Sequence, residues 1–144
     1  MAQIWLITGA GHGLGRNIAE AALGAGDRVV ATARDVTKFE DLVARFGDQV
    51  RTISLDVTDE AQGQAAVKRA VDTFGGLDVL VNNAGYGESR PFEEMPSEDF
   101  RELVEATFFG TVNLTRAALP VMRKQRRGLI MVRPDLSRRL PTQS

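Results

Sequence analysis

Ile4-Trp5-Leu6-Ile7-Thr8-Gly9-Ala10-Gly11-His12-Gly13-Leu14-Gly15-Arg16 is the stretch that sets the architecture of this 144-residue chain. A short apolar run feeds a turn holding four glycines in seven residues, and an amphipathic pattern begins at once. That order reads as buried strand, tight loop and helix. Glycine suits such a loop because it takes positive φ without strain and, lacking a Cβ, lets a ligand approach the backbone. The helix behind it offers unpaired N–H groups and the positive end of its dipole, which together favour a phosphate. Taken alone, the stretch also fits a tight strand-to-helix turn with no ligand.

Working outward, the same alternation continues. Leu14, Ile18, Ala21, Ala22 and Ala25 recur at helical spacing, and Gly26 supplies a left-handed cap before Asp27. Arg28–Ala33 is a second strand. Thr37 is expected to cap a helix running to about Phe46, with Phe39, Leu42, Val43 and Phe46 on one face. Val50–Leu55 alternates as a third strand ending at Asp56. Thr58 or Asp59 caps a helix that turns Ala66, Ala70, Val71 and Phe74 inward, and Gly75-Gly76 breaks it. Leu77–Val81 is a fourth strand, closing on Asn82-Asn83-Ala84-Gly85. From Ser97 to about Gln125 runs one long helical pattern, opened by Ser97. Leu103, Ala106, Phe109, Gly110, Leu114, Ala117 and Ala118 form its apolar side, and Pro120 should kink or end it. Gly128–Val132 begins a fifth strand, and Arg133–Ser144, with two prolines and no periodicity, reads as an irregular tail. Strands alternating with helices specify an α/β fold with right-handed crossovers and a parallel sheet. We expect one domain over residues 1–132 and a tail over 133–144.

Composition narrows the class. At 43% hydrophobic residues the chain can bury a real core, and a formal charge of −1 gives no ground for wholesale nucleic-acid binding. There is no cysteine, so disulfides and thiolate metal sites are excluded. No apolar run approaches the ~18 residues of a membrane span, and no signal-peptide pattern precedes the first strand. The expectation is a cytoplasmic protein with no membrane, nucleic-acid or metal partner.

The loop spacing Thr-Gly-x-x-x-Gly-x-Gly, Asp56-Val57 after the third strand and Asn-Asn-Ala-Gly after the fourth together resemble the short-chain dehydrogenase/reductase family. The resemblance runs from residue 3 to about 132. It implies a Rossmann-type doubly wound sheet in spatial order 3-2-1-4, incomplete and with a short fifth strand. It implies that Thr8, Gly9, Gly11, His12, Gly13, Leu14 and Gly15 cradle a nicotinamide dinucleotide. Asp56 and Val57 would meet its adenine, and Asn83, Ala84 and Gly85 would lie beside it. All fall at the carboxyl ends of parallel strands, where open α/β sheets bind ligands. The family's NAD enzymes usually carry an acid at the end of the second strand, where this chain has Ala33. Arg34 follows, and His12 stands at a loop position often basic in NADP enzymes, so NADP(H) is favoured over NAD(H). Against that, Arg34 would be a solvated charge, and Asp35 would cap the next turn or swing onto a ribose.

The catalytic half departs from the family. Its chemistry uses a Tyr general acid/base, a Lys four residues on and a carbonyl-polarising Ser. A phenol of pKa ~10 is inert at neutral pH unless a nearby cation favours its ionised form. Here Arg133-Pro134-Asp135 stands where a serine segment is expected, and Tyr-x-x-x-Lys is absent. The only tyrosine, Tyr86, has Arg90 four residues on, but Gly87 and Pro91 indicate a loop, and arginine is a poor proton relay. Ser137 matches by count alone, and Thr107 in Thr-Phe-Phe-Gly replaces the family's relay Asn. No catalytic residue is therefore assigned. The chain reads as a truncated or frame-shifted oxidoreductase whose complete relative moves hydride between NADP(H) and a carbonyl or secondary alcohol. The alternative is a non-catalytic module that binds NADP(H) or docks a partner, forming homo- or hetero-oligomers through the helix from Ser97.

Overall fold

A computed structural model describes residues 1–85 and 90–133. Five parallel strands, β1 Ile4–Ile7, β2 Arg28–Ala33, β3 Val50–Ser54, β4 Val79–Asn82 and β5 Leu129–Val132, form one sheet in the order 3-2-1-4-5. The registers Ile4↔Arg28, Trp5↔Val79, Val29↔Val50 and Val79↔Leu129 bring the strand ends together on one side of the sheet. The expected order is thus present, with the fifth strand paired to the fourth.

Alternation along the strands divides the core in two. Leu6, Val30 and Leu80 face one layer with Ala66, Val67 and Ala70 of α3 (Glu60–Phe74) and Leu114, Ala118 and Met122 of α5 (Gly110–Gln125). Ile7, Val29, Ala31, Val79 and Val81 face the other, against Ala19, Ala22 and Leu23 of α1 (Gly13–Gly24) and Leu42 of α2 (Glu40–Phe46). Near-continuous apolar strands covered on both faces are what a doubly wound parallel sheet requires.

Several local expectations need correction. In α1 the buried stripe is Gly15, Ala19, Ala22 and Leu23, whereas Leu14, Ala21 and Ala25 are exposed, because the helix turns Gly15 onto the end of β4. The turn after β2 is capped by Asp35, not Thr37. Its carboxylate accepts from Thr37 N–H at 3.0 Å and opens a 3-10 turn over Val36–Phe39. Phe39 and Leu42 are buried there, but Val43 is exposed. Val67 takes the inward place in α3 that Val71 was expected to share fully.

The long helix also differs in detail. Pro96, not Ser97, is its N-cap, and the first segment, α4 (Ser97–Val104), buries no residue completely. A π-helical turn over Glu105–Phe109 joins α4 to α5 and leaves Phe109 exposed. Pro120 neither ends nor splits α5, which continues to Gln125. Leu119 and Pro120 lie on the exposed side, so water can satisfy the carbonyl that proline's missing N–H leaves free. The helix then stops at Arg126, in the left-handed conformation at φ 59°.

Asp59 is the N-cap of α3: its carboxylate accepts from Gln62 N–H at 3.2 Å and Gln62 Nε2 at 3.3 Å. Gln62 Oε1 in turn accepts from Asp56 N–H at 2.8 Å, tying the cap to the loop after β3. Asp59→Ala should therefore cost about 1 kcal/mol, read as a lower urea midpoint at unchanged slope. An unchanged midpoint would show the cap to be dispensable.

Candidate functional site

The ends of β1 and β4 are locked together by two side chains. Thr8, immediately after β1, is buried; its Oγ1 accepts from Asn83 N–H at 3.0 Å and Ala84 N–H at 2.9 Å. Asn83 answers through Nδ2, which donates to the Thr8 carbonyl at 3.2 Å and the Gly9 carbonyl at 3.0 Å. Each chain segment thus satisfies the polar groups the other buries, as a close-packed turn must.

Glycine serves different purposes around this clamp. A Cβ on Gly9 would come within 2.9 Å of Ala84 Cα, and one on Gly15 would press into both Asn83 Nδ2 and the Gly9 carbonyl. These two positions are glycine because the turn packs against the end of β4. Gly13 is the converse case. It sits at φ +58°, and a Cβ there would meet nothing within 4 Å. It opens α1 behind His12, which is exposed and makes no side-chain capping bond, and the first turn of α1 carries no acid. An open glycine at an uncapped helix start, with unpaired N–H groups and no negative charge, suits an anion.

Further along the strand ends, Arg34 is exposed after β2 and Asp56 is half-buried after β3. Asp56 Oδ1 accepts from Thr58 Oγ1 at 2.7 Å and Thr58 N–H at 3.0 Å. The hydroxyl and backbone bonds of Thr58 hold its carboxyl below the ordinary 3.8. Burial opposes them, and the Arg34 guanidinium adds to the lowering. Val57 is buried in the core beneath Gly110, where a Cβ would strike its Cγ2 at 2.6 Å. Its side chain packs in the core, and its backbone carbonyl accepts from Asn113 Nδ2 at 3.0 Å. Arg34 and Thr58 also line an open cleft of about 540 Å³ with Arg101, Glu102, Glu105 and Ala106.

Gly85 ends the described part of the fourth-strand turn at φ +138°, with Thr107 Cγ2 only 2.9 Å from where its Cβ would lie. Thr107 is in the π-helical turn and its Oγ1 donates to the Leu103 carbonyl at 2.7 Å. The hydroxyl is thereby committed within its own helix. Tyr86 and Ser137 lie outside the described residues.

Two contacts of the site were not anticipated from sequence. Arg133 Nη1 donates to Asn83 Oδ1 at 3.4 Å, from the residue where the strand pattern stops. Lys38 lays its stem across Gly11, with Cδ 3.1 Å from where a Cβ on that glycine would lie. The only sequence signal for the second was a lysine one turn beyond the end of β2.

The family model for short chain dehydrogenases matches residues 3–132. The chain belongs to that family. Oxidoreductase BOA17 of Botryotinia fuckeliana is 44% identical to this short-chain dehydrogenase over 141 residues, taking in 97% of this chain and 52% of that protein. The 3-oxoacyl-(acyl-carrier-protein) reductase FabG of Vibrio cholerae is 33% identical over 129 residues, covering 90% and 53%. A solved short-chain dehydrogenase from Streptomyces avermitilis superposes with a TM-score of 0.87 at 45% identity, covering 92% of this chain and 49% of that one. The chain therefore spans about half the length of the curated relatives it matches. The Botryotinia match leaves out so few residues that it must run past Val132 into the stretch expected to be an unrelated tail. The family is one of dehydrogenases, and the Botryotinia relative is named an oxidoreductase. Among the described residues, no helix is long and apolar enough to cross a membrane.

Proposed function

We propose that this short-chain dehydrogenase chain binds a nicotinamide dinucleotide across the carboxyl ends of β1–β4, taking NADP(H) in preference to NAD(H). The observation that carries the reading is the Thr8–Asn83 clamp, which holds the glycine turn so that only Gly13 is left open at an uncapped helix start. The residues fit the cofactor. The N–H groups of Gly13, Leu14 and Gly15, with Thr8, Gly9, Gly11 and His12 shaping the turn, would hold the pyrophosphate. Asp56 and the backbone of Val57 would take the adenine, and Asn83, Ala84 and Gly85 would border the ring end. Arg34 would meet a 2′-phosphate, while Asp35 Oδ1 is taken up by Thr37 as the cap of the following turn. The bound cofactor supplies hydride exchange with a carbonyl or secondary alcohol. The chain's own work is to bind and orient it.

The 144 residues contain no Tyr-x-x-x-Lys. On this reading the chain's described part is a cytoplasmic cofactor-binding unit, with neither membrane nor nucleic acid as partner. A second reading, a non-catalytic module that docks a like chain, is favoured by one feature: α4 and the turn after it expose Phe100, Phe108 and Phe109.

A thermal melt checks the cofactor reading. Ligand at a hundred times its dissociation constant adds about 2.7 kcal/mol, an upward shift of roughly 5–10 °C for a domain of this size. We expect NADPH to raise the midpoint more than NADH at equal concentration. No shift with either nucleotide would end the proposal.

A further inference from the structure

We propose that Arg133 makes the site selective for the redox state of its dinucleotide: the guanidinium seated on Asn83 disfavours the cationic ring of the oxidised form and leaves the neutral ring of the reduced form unopposed. The inference rests on the cofactor reading above, in which Asn83, Ala84 and Gly85 border the ring end. It adds a residue that reading does not use.

Arg133 is placed by its backbone and by its side chain. Its N–H donates to the Asn82 carbonyl at 3.0 Å, continuing the β4–β5 ladder one residue past Val132. From there Nη1 donates to Asn83 Oδ1 at 3.4 Å. The amide it meets is fixed. Asn83 is buried, its N–H donates to Thr8 Oγ1 at 3.0 Å, and its Nδ2 donates to the Thr8 and Gly9 carbonyls at 3.2 and 3.0 Å. Two carbonyl acceptors require the nitrogen there, so the oxygen is the atom left to receive the guanidinium. An exposed arginine is thereby seated on a rigid acceptor at the junction of β1, β4 and β5.

A guanidinium stays protonated in proteins, and a carboxamide accepts its hydrogen bond without neutralising it. Among the described residues no carboxylate forms an ion pair with Arg133. Two acids at the strand ends, Asp35 after β2 and Asp56 after β3, stand on the far side of β1 in the order 3-2-1-4-5. Each is bonded by a threonine. Glu102 and Glu105 line the cleft of Arg34, again on the side of β2 and β3. The oxidised and reduced dinucleotides differ at the ring by one unit of charge and share everything else, the diphosphate included. Repulsion from a fixed cation therefore falls on the oxidised form alone, and any pull on the diphosphate cancels between the two.

Arg133→Met keeps an unbranched stem and removes the charge, and Arg133→Lys keeps the charge. The full chain and both variants are titrated with NADP+, NADPH, NAD+, NADH and ADP-ribose, which carries the diphosphate but no ring. We expect the wild type to bind the reduced member of each pair more tightly. Arg133→Met should lower the ratio of oxidised to reduced dissociation constants by about fivefold, through tighter binding of the oxidised form, with ADP-ribose unchanged. Arg133→Lys should retain the ratio, and 1 M salt should narrow it in the wild type. An unaltered ratio in Arg133→Met overturns the role, whether Asp135, outside the described residues, neutralises the guanidinium or the ring lies elsewhere. Equal weakening of oxidised, reduced and ringless ligands overturns it too, making Arg133 a diphosphate contact or a support for Asn83. Because the ratio is read within one variant, a change in stability does not blur it. Wild-type protein that binds none of the five ligands would instead overturn the cofactor reading itself, a result distinct from normal binding with an unaltered ratio.

Discussion

Gly15→Ala lowers the thermal midpoint of the unliganded chain by about 8 °C and abolishes dinucleotide binding. Helix propensity alone points the other way, since alanine in a helix is favoured over glycine by about 1 kcal/mol. Packing decides the sign. A Cβ at position 15 would lie closer than 3.0 Å to both Asn83 Nδ2 and the Gly9 carbonyl. Neither can yield cheaply, because that amide is the donor holding the Thr8 and Gly9 carbonyls. Overpacking of this kind costs about 3 kcal/mol, leaving a net loss near 2 kcal/mol, or several degrees for this chain length. Gly24→Ala is the control. It lies in the same helix with nothing within 4 Å of a Cβ and should stabilise by about 0.5 kcal/mol. If both variants gained stability, the close approach of α1 to Asn83 would be wrong.

Thr8→Val has a similar or larger effect by an electrostatic route. Valine has nearly the shape of threonine, so the buried cavity stays filled, but the N–H groups of Asn83 and Ala84 lose their shared acceptor. Each orphaned buried donor costs about 1–3 kcal/mol, so the variant should lose roughly 3 kcal/mol in denaturant unfolding. Thr8→Ser keeps the oxygen and loses one methyl, about 0.8 kcal/mol. Valine tolerated as well as serine would mean that the hydroxyl does not join the two strand ends.

The strands were legible because each is a short apolar run ended by a polar or glycine signal: Ile4–Ile7 before Thr8-Gly9, Val79–Asn82 before Ala84-Gly85. The glycine turn was legible as a ligand loop, but its division of labour was not. Sequence cannot distinguish Gly13, open to solvent, from Gly15, pressed on Asn83, because the difference lies in contacts seventy residues away. Separation in sequence likewise hides Arg133 on Asn83, 50 residues apart, and Lys38 on Gly11. Reading α1 from Leu14 turned the helix by one position, since its buried face begins at Gly15, which is pressed on Asn83, and continues through Ala19, Ala22 and Leu23. Pro120 was overweighted because its cost depends on whether the freed carbonyl is exposed, which propensity does not encode.

Amide hydrogen exchange of the chain with and without NADPH tests the central claim most directly. The account predicts protection on binding at residues 9–16, 33–38 and 83–85, the strand ends that the Thr8–Asn83 clamp brings together, with the amino ends of the strands unchanged. Exchange unaltered by saturating NADPH, or protection confined to other parts of the chain, would contradict it.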